Sequence, residues 1–408
     1  MFDIEAPDVD SAHMRRAGKE LLSLALMDAR NHTLRWFAAF ERALELTALE
    51  VPLADELEPP LWLLGHAGWY QERWIARNVQ RHRGTGCDPT LPRLASLLPQ
   101  ADDWYDPARG THDERWVHDL PDAQATRQYL VDTLEMTLEL LYTAHESDDA
   151  LYFYRLALFH EDALCETFAR LSQTLGFDAG LLPAIAAVNP RPALYFPATR
   201  WRLGSEPGAG FVYDNEKWAH EVAVPEFEID AQPVSWAQYA EFVEDGGYDR
   251  AELWGAAGWD WVQRLGRRSP RHVDQLRHGV LQQRLGRLMR VPMAQPVLHV
   301  SWHEADAWCR WAGRRLPTEV EWEAAAHQGA SRGWRWGDVW EWTASTFRPW
   351  PGFAPDPDRD HSQPCFGTHK VLRGASFATR GRARHPKLRR FHRPERDDLF
   401  CGFRSCAA

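Results

Sequence analysis

This 408-residue sequence predicts an N-terminal four-helix bundle followed by a mixed α+β domain. Three observations point there. The first 175 residues hold four long runs with apolar residues at helical spacing. A proline-marked stretch, VNPRPALYFPATR, comes next at 188–200. From Trp201 onward the texture changes to short strand-like runs with frequent Gly and Trp. The expected layout is a bundle over 1–187, a linker over 188–200 and a second domain over 201–408. At roughly 100–200 residues per domain the length agrees with two such units.

The first helix is read from Ser11 to about Glu50, on Leu21, Leu22, Leu26, Trp36, Phe37 and Phe40, with a break near Asn31. Pro59–Pro60 opens the second, because a first-turn proline sacrifices no intrahelical hydrogen bond, and it is expected to run to about His82. Residues 83–121 form a long loop, ordered by Trp104, Tyr105 and Trp116. Asp122 caps the third helix, and the fourth spans Asp149–Leu175 and stops at Gly176. In the second domain the expected strands are FVYD (211–214), HEVAVPEFEID (220–230), VLHVSW (297–302) and KVLRGASF (370–377). Trp236–Asp245 and Trp302–Ala312 are expected helices, with a further turn at Glu319–Ala326. Residues 264–290, with eight arginines, are read as a solvated loop or helix.

Composition narrows the function. Hydrophobic residues at 44% and charged residues at 26% suit a globular protein with a sizeable core. A net charge of −11 argues against a nucleic-acid binder, which needs a basic face to displace counterions. No run approaches the ~18 apolar residues of a membrane span, and the N-terminus lacks the apolar centre of a secretory signal. The expected location is the cytoplasm, with no membrane partner. The six cysteines show no metal-binding or disulfide spacing and are expected to be reduced.

The chemistry concentrates in two segments. WLLGHAGWYQERW (62–74) and LFHEDALCETFAR (158–170) each set one histidine, His66 and His160, in an apolar helical run with a carboxylate close by. A lone histidine of this kind is most often a satisfied core residue. Bundle cores, however, are also where facing helices build metal sites.

Further motifs follow in order: DNE (214–216), QPVSWAQYAEFVEDGGY, PVLHVSWHEADAWCRWAGRRLPTEVEWEAAA (296–326), DVWEWTAS (338–345), KVLRGASFATR (370–380) and FCGFR (400–404). Together with GHAGWYQE and HEDALCE, they resemble the ergothioneine-type sulfoxide synthases. Those enzymes place a DinB-like four-helix bundle before a formylglycine-generating-enzyme-like domain of C-type-lectin-like fold. The resemblance implies a non-haem Fe(II) in the bundle, held by one histidine of a GHxxW segment and two of an HExxHxE segment. It also implies O₂ and trimethylhistidine (hercynine) as small-molecule substrates. His66 matches the first ligand and His160 the second, but the third position is Leu164, which has no donor atom. His32, Asp162, Glu166 or water are the candidate replacements. At about 100° per residue Glu166 lies some 120° around the helix from His160, an awkward direction for a shared metal.

A second departure lies in RRFHRPERDDLFCGFR (389–404), where the family holds its sulfur donor. Arg390 and His392 replace the family's asparagine and aspartate, and Arg396 matches its arginine. The segment PWPGFAPDPDRDHSQPCFG lacks the family's proton-donating tyrosine. These changes, with the loop ADDWYDPARGTHDERW, resemble the selenoneine synthases, in which a selenosugar is the donor. The expected reaction is therefore C–Se bond formation between hercynine and a selenosugar. The alternatives are an ergothioneine- or ovothiol-type synthase using a thiol, and a non-catalytic betaine-binding relative. Trp69, Tyr70, Trp104 or Trp116 would face the quaternary ammonium through cation–π attraction. Asp338 and Glu341 match a loop that binds structural Ca²⁺ in some relatives, against an ordinary hydrogen-bonded turn.

Overall fold

In the computed structural model, which describes residues 8–408, the N-terminal half is built from five helices. These are α1 (Lys19–Ala43), α2 (Pro60–Trp74), the short α3 (Ala101–Tyr105), α4 (Ala123–Thr143) and α5 (Asp148–Leu175). Residues 1–7, the start of the expected first domain, lie outside the described residues. Local chemistry sets the boundaries. Pro60 opens α2. The Asp122 carboxylate accepts from the Ala125 N–H at 2.8 Å and the Ser147 hydroxyl from the Ala150 N–H at 3.3 Å, which satisfies donors that a first turn leaves free. Gly176 closes α5 at φ 79°.

Two helices differ from expectation. α1 passes through Asn31 without a break, the exposed side chain leaving the helical backbone undisturbed. It ends at Ala43, before Ala48 and Leu49 take positive φ. α2 stops at Trp74, well short of His82, and the chain turns so that Arg77 can serve the following loop. Its guanidinium forks onto Asp102 at 2.7 Å and its Nε donates to the Leu94 carbonyl at 2.7 Å. This anchorage is why residues 83–121 are ordered.

The second half begins with β1 (Leu194–Phe196), inside the stretch expected to be linker, and β2 (Thr199–Leu203), which starts at its end. Then come β3 (His220–Val224), β4 (Phe227–Ile229), α6 (Trp236–Glu244), α7 (Ala256–Leu265), β5 (Val273–Gln275), β6 (Val280–Arg284) and β7 (Arg287–Val291). The chain continues through α8 (Trp302–Trp311), β8 (Arg314–Arg315), α9 (Glu319–Gln328), β9 (Trp340–Thr346), β10 (Lys370–Gly374), β11 (Arg390–His392), β12 (Cys401–Phe403) and β13 (Cys406–Ala407). The sheets run β1-β4-β13-β8, β11-β10-β9-β12, β2-β3 and β5-β6-β7. Neither FVYD nor VLHVSW is a strand. The first leads into a 3₁₀ turn at Asp214–Glu216, and in the second Ser301 and Glu304 form a capping box that starts α8.

The basic insertion is a three-stranded sheet rather than a solvated loop or helix. Leu285 and Gly286, at φ 48° and 78°, make the left-handed two-residue turn that joins β6 to β7. That hairpin docks on the end of α5, where Gln173 donates to the Gln283 carbonyl and accepts from the Leu285 N–H, each at 2.9 Å.

One apolar core runs through both halves, from Met14 to Phe403. Buried ion pairs cross between them: Arg15 with Glu216 at 2.7 Å, Arg170 with Asp398 at 2.7 Å and Arg382 with Asp162 at 2.8 Å. Among the described residues no helix is long and apolar enough to cross a membrane. All six cysteines are free thiols.

Candidate metal centre and adjoining cavity

His66 sits on α2, buried nearly all round. Its Nδ1 lies 2.9 Å from the Tyr105 carbonyl oxygen, so Nδ1 carries the hydrogen and Nε2 keeps its lone pair. Trp62 stacks on one side at 4.8 Å and Trp69 at 5.3 Å. Burial lowers the His66 pKa to about 4, against the Tyr105 hydrogen bond and with the help of Arg115. His160 on α5 faces it, with the ring centroids 5.2 Å apart. The Tyr70 ring lies parallel over His160 at 3.5 Å. Burial, then the charges of His66, His361 and Arg390, hold His160 well below its ordinary pKa. Both rings are neutral at pH 7, the form that binds metal.

The two histidines open on a cavity of about 400 Å³, closed on the far side by the loop 356–362 of the C-terminal half. That loop is tied at both ends. Asp356 receives the Lys217 ammonium at 2.6 and 2.7 Å and the Tyr152 hydroxyl at 2.9 Å. The Ser362 hydroxyl donates to Asp214 at 2.5 Å and accepts from the Asn215 amide at 3.1 Å. The DNE motif thus has a local task, which is to hold this loop. Between the anchors Asp358 and His361 enter the cavity. The Tyr70 hydroxyl donates to Asp358 at 2.6 Å, and His361 stacks on Tyr213 at 4.9 Å.

Leu164, one turn after His160, is buried in the core. The proposed replacements are engaged elsewhere. His32 accepts the Trp36 indole N–H at 3.1 Å, and Asp162 pairs with Arg382. Glu166 accepts from Trp340 at 2.6 Å, Ser376 at 2.7 Å and Thr379 at 3.0 Å. Glu161 is likewise bound to Arg30 at 2.8 Å. Among the described residues no three His, Cys, Asp or Glu side chains converge tightly enough to enclose an ion.

A second cavity, of about 250 Å³, brings Arg390, His392 and Arg396 together with Glu58, Glu166 and Arg170. Ala163 and Thr167 of α5 line it, one and two turns beyond His160, so one helix serves both cavities. Arg396 grips Asp398 at 2.5 and 2.7 Å, and Arg170 reaches the same carboxylate. Arg390 has no ion-pair partner among the described residues.

Trp69 and Tyr70 line the first cavity, but Trp104 and Trp116 do not. The Trp104 carbonyl accepts from Trp62 at 2.6 Å, and the Trp116 N–H is spent on the Val51 carbonyl. One face of Trp69 already carries the Arg73 guanidinium, 5.1 Å from the ring centre. The calcium expectation also gives way. Glu341 is fully buried against Arg404, and both Asp338 oxygens are taken by Arg335, so neither carboxylate is available to a hard cation. Sequence reasoning missed Tyr70 as a hydroxyl donor and missed Asp358 and His361 altogether. The segment noted for lacking a tyrosine receives one from α2.

Residues 195–338 and 335–408 match the family model described as the sulfatase-modifying factor enzyme 1-like (FGE-sulfatase) domain. The hercynine oxygenase of Mycobacterium tuberculosis is 32% identical over 94% of this chain and 98% of its own. That of Mycolicibacterium smegmatis is 32% identical over 95% and 98%. The formylglycine-generating enzyme of Streptomyces coelicolor is 28% identical over 48% of this chain and 81% of its own. The full-length likeness sets aside a non-catalytic role, and the chain is an enzyme of the hercynine oxygenase family.

Proposed function

We propose that this enzyme binds a non-haem Fe(II) through His66 and His160 and uses O₂ to join a selenosugar to the imidazole carbon of hercynine, giving an adduct that becomes selenoneine once its selenium–sugar bond is broken. One observation carries the reading: a cavity with two neutral imidazoles and a cavity with a free guanidinium lie side by side along α5. Imidazole donors suit iron, and the Tyr105 carbonyl leaves the His66 Nε2 lone pair directed away from the backbone. When bound, the iron supplies O₂ activation and the electron transfers of the reaction.

The protein's own part is positioning. Holding hercynine and donor in adjacent cavities turns an encounter of dilute reactants into a step within one complex. The Tyr70 ring and the Asp358 and Asp360 carboxylates face the first cavity, a setting that attracts a trimethylammonium group. Tyr70 stays protonated, its pKa raised well above 10 by burial and then by Asp358, so its hydroxyl holds a proton at the cavity wall. Joining the imidazole carbon to the chalcogen releases two protons and two electrons, which O₂ accepts. A further two-electron oxidation would carry the chalcogen to the oxide, with the second oxygen atom leaving as water.

The second cavity supports the choice of donor. Arg396 and Arg170 share the single Asp398 carboxylate, and His392 is held neutral by burial and then by Arg396. Glu166 adds negative charge, while Glu58 is paired with Arg115 at 3.1 Å. A dicarboxylate such as gamma-glutamylcysteine meets the Glu166 carboxylate there and finds two of the three arginines already engaged with Asp398, whereas sugar hydroxyls can both donate and accept. A thiol with a single carboxylate, such as cysteine, is the second reading, favoured by Arg390 alone.

The test is competition. The enzyme is reconstituted anaerobically with Fe(II), then given O₂, hercynine and equal amounts of a selenosugar, cysteine and gamma-glutamylcysteine. A selenium-bearing adduct by mass spectrometry is expected, while a sulfur adduct alone would overturn the donor assignment.

A further inference from the structure

Leu164 leaves the proposed metal one protein ligand short of a three-ligand face. We infer that Asp358, delivered from the C-terminal half, supplies it, so that His66, His160 and Asp358 form a two-histidine, one-carboxylate face. The inference rests on the iron site proposed above. Such a face with open positions is the donor set of many O₂-using non-haem Fe(II) enzymes.

Four features of the molecule argue for it. Asp358 lines the same cavity as both histidines. The Tyr70 ring lies on His160 at 3.5 Å and its hydroxyl donates to Asp358 Oδ2 at 2.6 Å, so a single side chain sets the carboxylate beside the imidazole. The other oxygen, Oδ1, has no hydrogen-bond partner among the described residues, and no Lys or Arg pairs with the group. The contrast with neighbouring carboxylates is sharp: Glu161, Asp162 and Glu216 each take an arginine, and Glu166 takes three donors. A carboxylate left with one free oxygen at a cavity wall, and oriented through its other oxygen by a tyrosine, has the arrangement of a metal ligand with its outer partner.

The fourth feature is the anchorage of the loop. Asp356 and Ser362, two residues before and four after Asp358, are fixed by Lys217, Tyr152, Asp214 and Asn215. The three side chains line one space without converging on a point, and Oδ1 has to swing toward the imidazoles as the ion enters. His361 lines the same cavity, and stacking on Tyr213 at 4.9 Å leaves its in-plane lone pairs open, so it is the competing donor that the test has to separate from Asp358.

Co(II) serves as the probe, titrated anaerobically into the full chain, with affinity and ligand-field absorption as readouts. Asp358→Ala is expected to weaken binding by at least about tenfold to a hundredfold and to change the absorption band. Leu164→His in the same variant is expected to recover affinity, because position 164 lies on the His160 face one turn on. Asp358→Asn, which keeps an oxygen for Tyr70, and circular dichroism guard against a folding defect. A larger loss of affinity in His361→Ala than in Asp358→Ala would move the third ligand to His361 and overturn the inference. Wild-type affinity and spectrum in Asp358→Ala overturn the inference. If that happens while His66→Ala and His160→Ala lose the ion, the two-histidine site stands without Asp358; a wild-type chain that binds no Co(II) removes both.

Discussion

At the scale of single residues, the site depends on partners far away in sequence. The hydrogen bond from Tyr70 to Asp358 spans 288 positions, and no local pattern announces it. His66, His160, Arg390, His392 and Arg396 were singled out as candidates because each stands inside a motif whose neighbours mark its register. Asp358 was not, because DPDRD reads as an ordinary polar loop until the fold brings Tyr70 to it. Arg390 is the donor-cavity arginine without an ion-pair partner among the described residues, so Arg390→Met should raise the donor KM about tenfold or more and leave that for hercynine unchanged, as initial-rate kinetics would show. Equal changes in both constants would contradict separate cavities. Asp162→Ala strips a carboxylate from the buried Arg382, which then keeps Asp28 and the Val9 carbonyl. A loss near the low end of about 3–5 kcal/mol is expected by urea denaturation.

At the scale of elements, helix packing fixes the proposed metal ligands. Gly65 lies where α2 meets Tyr105, and a Cβ there would stand 2.2 Å from the tyrosine ring. Gly65→Ala should therefore cost about 1–3 kcal/mol and, by shifting the carbonyl that orients His66, weaken metal binding. Gly86→Ala, with nothing within 4 Å of its Cβ, is the control and should do neither. The bundle helices were legible from their apolar spacing and their caps, as with Asp122 and Gly176. The three-stranded insertion was not. Its eight arginines masked two buried valines, Val280 and Val291, and the turn at Leu285–Gly286 depends on a conformation that leucine rarely adopts. The end of α2 was also hidden, since Arg77 leaves the helix for a partner 25 residues on.

At the scale of the whole molecule, the site exists only because the two halves share a core and bury ion pairs between them. Acid should weaken that union. His32, His66 and His272 have folded pKa values of about 4 against about 6.5 unfolded, mainly through burial. Between pH 4 and 6.5 the unfolded chain binds more protons, so stability is lost as pH falls through that window. Glu304, raised to about 7 by burial and then by Asp397, acts in the opposite sense between about 4.5 and 7. The metal-free chain should still unfold at lower urea at pH 5 than at pH 7, and a flat profile would contradict the buried neutral histidines. The central claim is that a metal centre lies between the halves at His66 and His160. Anomalous scattering at the iron edge, from crystals of the Fe(II)-loaded enzyme, tests it most directly. The account predicts one peak within bonding distance of His66 Nε2 and a His160 ring nitrogen. A cavity without a peak, or iron bound only elsewhere, would contradict it.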